Sequence, residues 1–177
     1  LVIGIDNYTN WKPRKNAVKD AKDFIDVLKT SYQFEEENIT TVFNEKATEK
    51  NILKTLKSFV TTITEQDNII IYYSGHGHYD DVLDEGYWVP VDAPMDDDGS
   101  SDYISNRTLS SYLKKIKAHH TLLFIDSCFS GSILSGNRSG TRSEKFASFR
   151  IFASGRNEVV EDGAAGQNSP FAASIIQ

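Results

Sequence analysis

Two short blocks carry the residues able to do covalent chemistry: Tyr72-Tyr73-Ser74-Gly75-His76-Gly77 and Leu122-Leu123-Phe124-Ile125-Asp126-Ser127-Cys128-Phe129-Ser130-Gly131. Each is an apolar, strand-like run that ends in a reactive side chain among small residues. Cys128 is the single cysteine of the chain. It follows a run that reads as a buried parallel strand, and ligands of open α/β sheets gather beyond the carboxyl ends of such strands. A second strand of this kind, ending at His76, would set the two side by side. A thiol of pKa about 8.5 is mostly protonated at neutral pH, so Cys128 needs a base such as His76 to become a thiolate. Attack on a peptide carbonyl then gives an acyl-enzyme, His76 protonates the leaving amine, and water releases the product. The backbone N–H groups of Gly77 and Cys128 are the expected oxyanion donors, the flanking glycines letting the substrate backbone come close. No third catalytic side chain is legible.

Cys128 lies 52 residues after His76, and a histidine about 50 residues before the cysteine is the arrangement of caspases. The chain resembles the caspase-like cysteine peptidases. Its Asp126-Ser127-Cys128-Phe129-Ser130-Gly131 is closer to the Asp-Ser-Cys-x-Ser-Gly of metacaspases and bacterial caspase homologues than to the Gln-Ala-Cys-x-Gly of animal caspases. The resemblance runs from the opening strand at 1–5, through Asn16-Ala17-Val18-Lys19-Asp20-Ala21, to Ser169-Pro170-Phe171. It implies an α/β, caspase-like three-layer sandwich, a Cys-His dyad and a cysteine endopeptidase.

Asp126 precedes Cys128 by two residues, and alternate residues of a strand share a face, so its carboxylate is placed to line a pocket beside the nucleophile. Such a pocket prefers Arg or Lys before the cut. In metacaspases an aspartate here acts with another from the first-helix motif, and Asp20 matches the latter; two carboxylates favour the bidentate guanidinium. The alternatives are a strand-end Asp126 satisfied by nearby backbone N–H groups and an exposed helical Asp20. Arg14 and Arg156 keep open a second specificity, for the aspartate that animal caspases read with arginines, and Asp126 counts against it. Arg138, Arg142 and Lys145 lie in or beside the small-residue loop 135–144, which is either a site of self-cleavage or a plain connector.

No cofactor is expected. Many metacaspases require calcium, but Asp96, Asp97 and Asp98 fail the EF-hand spacing, and the family's acidic positions are matched only loosely around Asp84, Glu85 and Asp102. The run His76-Gly77-His78-Tyr79-Asp80-Asp81 offers ligands for a zinc hydrolase, with His119 and His120 to complete it. Yet Asp81 stands where that motif needs histidine, and His119 and His120 open a strand whose far end carries Cys128. The other class of function is a caspase-like scaffold or regulatory platform whose catalysis is lost or conditional.

The elements that must position these residues alternate. Apolar runs at 1–5, 39–43, 68–73, 120–125 and 149–153 are separated by helical patterns, which predicts a mostly parallel sheet with helices on both faces. The first helix shows Val18, Ala21, Ile25 and Leu28 on one side; the second shows Ile52, Leu53, Leu56, Phe59, Val60 and Ile63; the third, over 108–117, shows Leu109, Tyr112, Leu113 and Ile116. The stretches 92–102 and 135–144 read as loops.

A chain of 177 residues with 39% hydrophobic content suits one domain over 1–177. A net charge of −6 argues against a nucleic-acid partner and for basic peptide substrates. No run approaches the ~18 apolar residues of a membrane span, and a single cysteine excludes an internal disulfide, so the expected compartment is the cytoplasm. Leu1 already lies inside a strand and the last residues read as a helix just begun at Ser169-Pro170. The expectation is therefore an extract of a longer chain, truncated on its C-terminal side, with activation by fused domains or a partner.

Overall fold

In the computed structural model, residues 1–95, 102–128, 148–155 and 162–176 are described. Asp96 to Asp98, loop 135–144 with Arg138 and Arg142, Lys145 and Arg156 lie outside the described residues.

Five strands form one parallel sheet: β1 (Val2–Gly4), β2 (Thr41–Phe43), β3 (Asn68–Ser74), β7 (His120–Asp126) and β8 (Ser148–Ala153), in the order β2-β1-β3-β7-β8. Period-two alternation sends Ile3, Ile71, Tyr73, Leu123 and Ile125 to one face and Val2 and Tyr72 to the other. The first set packs against α2 (Glu49–Thr62) and α3 (Asn106–Leu113), through Ile52, Leu56, Leu109 and Leu113. The second packs against α1 (Ala17–Tyr32) through Ala21, Phe24 and Leu28, with Ile175 of α4 (Pro170–Ile175) beside them. The result is the expected three-layer sandwich. Ile52 and Leu56 are fully buried, and truncating either to alanine costs about 2–5 kcal/mol by the usual cavity penalty.

Helix starts follow from hydroxyl caps. Thr48, Ser105 and Ser169 accept the backbone N–H of Asn51, Thr108 and Ala172, at 3.2, 3.0 and 3.0 Å, which satisfies donors that the first turn leaves open. Pro170 sits in the first turn of α4, where it loses no helical hydrogen bond.

Two features differ from the sequence reading. The buried stripe of α1 is Ala17, Asp20, Ala21, Phe24 and Leu28, so Val18 and Ile25 flank it and an aspartate lies inside it. The second difference is a small antiparallel sheet of β4 (Gly77–Asp80), β5 (Glu85–Trp88) and β6 (Ile104–Ser105). It leaves the main sheet directly after His76. Trp88 of β5 stacks on Tyr73 of β3, ring centroids 4.2 Å apart and 6° from parallel, so the accessory sheet rests on the main core.

Candidate active site

The β3–β7 register pairs Asn68 with His120 and continues without a slip to Ser74 with Asp126. His76 and Cys128 each follow two residues beyond that last pair, so both leave the sheet at the same level on adjacent strands. The 52-residue spacing seen in the sequence is this register. Past the ladder, Gly75 N–H donates to Asp126 O at 3.3 Å. At Gly77 the two segments touch through their backbones: a Cβ there would lie 2.0 Å from the Cys128 carbonyl oxygen and 3.3 Å from Ser127 Oγ. Only glycine permits that approach.

Cys128 is half-buried, so a substrate can reach it, unlike the fully buried position common for structural cysteines. His76 is fixed from several sides. Its Nε2 lies 2.7 Å from the backbone oxygen of Lys12. A carbonyl can only accept, so this contact places the proton on Nε2 and leaves Nδ1 as the basic nitrogen of the neutral ring. The His76 backbone N–H donates to Tyr8 Oη at 2.7 Å, and its carbonyl accepts from Tyr73 Oη at 2.7 Å. Burial lowers the His76 pKa below the ordinary 6.5, with the Lys12 carbonyl opposing and Arg14 assisting that shift. The ring is therefore neutral near pH 7. Lys12 supplies the orienting group that no side chain in the sequence announced, and a backbone oxygen leaves no trace in residue type.

Both aspartates named from the sequence are fully buried, which removes the exposed-helix alternative for Asp20. Ser169 joins them. Its backbone N–H is shared by the two Asp20 oxygens at 3.3 Å each, and its hydroxyl donates to Asp126 Oδ2 at 2.5 Å. Asn168 Nδ2 donates to Asp20 Oδ1 at 2.9 Å. Burial pushes the Asp20 pKa up to about 6 against these hydrogen bonds, with repulsion from Asp126 adding to it. Asp126 is also raised by burial, with the Ser169 and Ser154 hydroxyls and then Arg14 opposing. Among the described residues no hydrogen bond within 3.5 Å ends on Asp126 Oδ1, a buried carboxylate oxygen.

Arg14 is buried beside this pair, and Asp162 holds it. Arg14 Nε and Nη2 donate to Asp162 Oδ1 at 3.2 and 3.0 Å, and the Lys15 backbone N–H donates to Asp162 Oδ2 at 2.7 Å. Burial alone would weaken the Arg14 cation, but Asp162 and then Asp126 outweigh it. Asp162 and Asn168 were not singled out in the sequence, because polar residues in a Gly-containing segment read as an ordinary loop, and Ser169 was marked there as the start of the last helix but not as a partner of the two aspartates.

His120 begins β7 and His119 precedes it, at the end of the sheet opposite Cys128, so they do not converge with His76.

The caspase domain family matches residues 1–177. The chain belongs to that family. Metacaspase-1 of Eremothecium gossypii is 24% identical over 144 residues, covering 76% of this chain and 32% of that protein, so the match spans about a third of the curated relative. A Geobacter sulfurreducens protein of solved crystal structure shares the fold with a TM-score of 0.71 at 16% identity, over 99% of this chain and 78% of that one. The caspase domain is thus a member of a cysteine peptidase family with a mostly parallel α/β sheet. Among its described residues no group of three or more His, Cys, Asp or Glu is gathered as for a metal ion. At two of the acidic positions considered for calcium, the Glu85 oxygens accept from the Arg107 backbone N–H and guanidinium, each at 3.0 Å, and Asp84 accepts from Tyr79 Oη. No described helix is long and apolar enough to cross a membrane.

Proposed function

We propose that this caspase domain is a cysteine endopeptidase that cuts protein substrates after Arg or Lys, with Cys128 as nucleophile and His76 as general base and acid. The observation that carries the proposal is the continuous β3–β7 register, which ends with the two reactive residues on adjacent strands and Gly77 against Cys128. In this reading Nδ1 of His76 takes the Cys128 proton, the thiolate attacks the scissile carbonyl, and the N–H groups of Gly77 and Cys128 bind the oxyanion. His76 then returns the proton to the leaving amine, and water hydrolyses the thioester. The Nε2 contact with Lys12 O holds the ring in one tautomer through both transfers.

The basic preference is supported by Asp20 and Asp126. They are two buried carboxylates joined by Ser169, and among the described residues Asp126 Oδ1 has no hydrogen bond that would compete with a substrate cation. Arg14 is the residue that would favour an acidic substrate, and Asp162 already engages it. Activation by flanking domains or a partner belongs to the same proposal. Fluorogenic peptides ending in Arg, Lys or Asp test it with wild type and Cys128→Ala. Turnover after Arg or Lys that vanishes in the variant is expected; cleavage only after Asp would overturn the pocket assignment, and turnover retained in Cys128→Ala would overturn the nucleophile.

A further inference from the structure

The loop between β1 and α1 does more than supply the Lys12 carbonyl. Two of its aromatic rings close on the His76 imidazole: Tyr8 at a centroid distance of 4.7 Å and 52°, and Trp11 at 5.3 Å and 37°. Both are held from behind. Tyr8 Oη accepts the His76 backbone N–H, and it passes so close to Gly75 that a Cβ there would lie 2.6 Å away. The Trp11 indole N–H donates to Pro94 O at 3.2 Å, and its ring meets Tyr103 edge-on at 6.0 Å and His78 at 6.5 Å. Asn10 Nδ2 and the Thr9 N–H tie the same loop to Ala93 O and Val91 O, at 3.1 and 2.9 Å. The indole is thus anchored to the segment after β5 and reaches back over the catalytic ring.

We infer that Trp11 is a positioning residue for His76: anchored on Pro94 and Tyr103, its indole holds the imidazole so that Nε2 stays on Lys12 O and Nδ1 stays available as the base. A neutral imidazole tethered by one hydrogen bond can still rock about χ2, a broad torsion for histidine. Rings packed at van der Waals distance restrict that motion and exclude water from the ring. The inference rests on His76 being the base, as proposed above. It adds a residue that touches no reacting atom and that nothing in the motif-bearing blocks marks.

The charged and titratable groups that act on His76 among the described residues are Arg14 and Asp162, with Tyr8 and Tyr73 bonded to its backbone through their hydroxyls. Trp11 carries no charge, so replacing it changes the solvation and orientation of the ring without altering that set. Two variants and two readouts test the inference. Trp11→Ala is expected to lower kcat/KM for an Arg peptide about tenfold, mostly through kcat. It should also move the His76 titration, followed by imidazole NMR in the folded protein, upward toward 6.5 as water enters. Trp11→Phe, which keeps a ring in place, is expected to restore most of both. An unmoved His76 titration in Trp11→Ala, or equal activity loss in Trp11→Ala and Trp11→Phe, would overturn it. The NMR readout does not depend on turnover, so a wild type without peptidase activity would defeat the functional proposal and leave this test standing.

Discussion

The two halves of the site are held together by different means. His76 and Cys128 lie at the tips of neighbouring strands, and their alignment is propagated by the seven paired positions of one uninterrupted ladder. The proposed acidic pocket has no such scaffold. Asp20 comes from α1, Asp126 from β7, and both are joined by Ser169 at the head of α4, with the Asn168 bond spanning 148 residues of chain. Arg14 and Asp162 form a second clasp across the same separation. A backbone ladder tolerates side-chain replacement, whereas a clasp of single hydrogen bonds between buried charges is sensitive to each member. The strand-tip alignment of the proposed catalytic pair should therefore be lost chiefly when backbone approach is blocked, and the proposed pocket should fail one side chain at a time.

The largest expected effect breaks the first half. Gly77→Ala places a methyl group against the Cys128 carbonyl, so the strand tips must separate by about an ångström. Peptide turnover should drop about 10²–10³-fold, with the far-ultraviolet circular dichroism unchanged. Turnover near wild type would mean that the close approach is dispensable. For the second half, Asp126→Asn should cost at least about thirtyfold in kcat/KM for Arg peptides, while the Cys128 alkylation rate changes little. Equal losses in both measurements would place Asp126 in the dyad's support instead of the pocket.

Ser169→Ala removes an N-cap and the Asp126 hydrogen bond together, for which about 1–2 kcal/mol of stability is expected to be lost in urea denaturation. A loss below ~0.5 kcal/mol would show that the clasp is not tight. Asp20 gives a pH test. Its folded pKa of about 6 exceeds the 3.8 of an exposed aspartate, so the folded state holds the proton more strongly. Its contribution is present at low pH and is lost as pH rises through about 6. Asp20→Asn should flatten the stability profile between about pH 4 and 6, and an unaltered profile would count against its burial as a charge. The smallest effect is expected at the far end of the same ladder: His120→Ala, whose Nδ1 meets only Ser148 Oγ at 3.0 Å among the bonds described, should leave turnover unchanged and stability within about 0.5 kcal/mol. A large loss of activity there would revive a role for the histidine pair.

Much of this arrangement was legible along the chain. The apolar runs matched the five strands of the main sheet to within two residues; the central β1, β3 and β7 are buried and so leave continuous hydrophobic stretches. The small sheet was not legible, since Gly77-His78-Tyr79-Asp80 and Glu85-Gly86-Tyr87-Trp88 are short and largely polar. Their pairing depends on the Tyr73–Trp88 stack. In α1 the apolar stripe was placed slightly off its true axis, because Asp20 sits in the buried face and hydrophobic periodicity cannot include a buried carboxylate.

By itself, the sequence determined the chain order of the main-sheet strands and their helices and the 52-residue interval between His76 and Cys128 that becomes the strand register. Those are properties of local pattern and strand pairing. Tertiary structure alone decided which His76 nitrogen is left basic, which oxygens Asp20 and Asp126 share with Ser169, and where Asp162 draws Arg14. Each of these depends on a polar contact between segments distant in the chain, and its strength comes from burial, which exists only once the layers have closed.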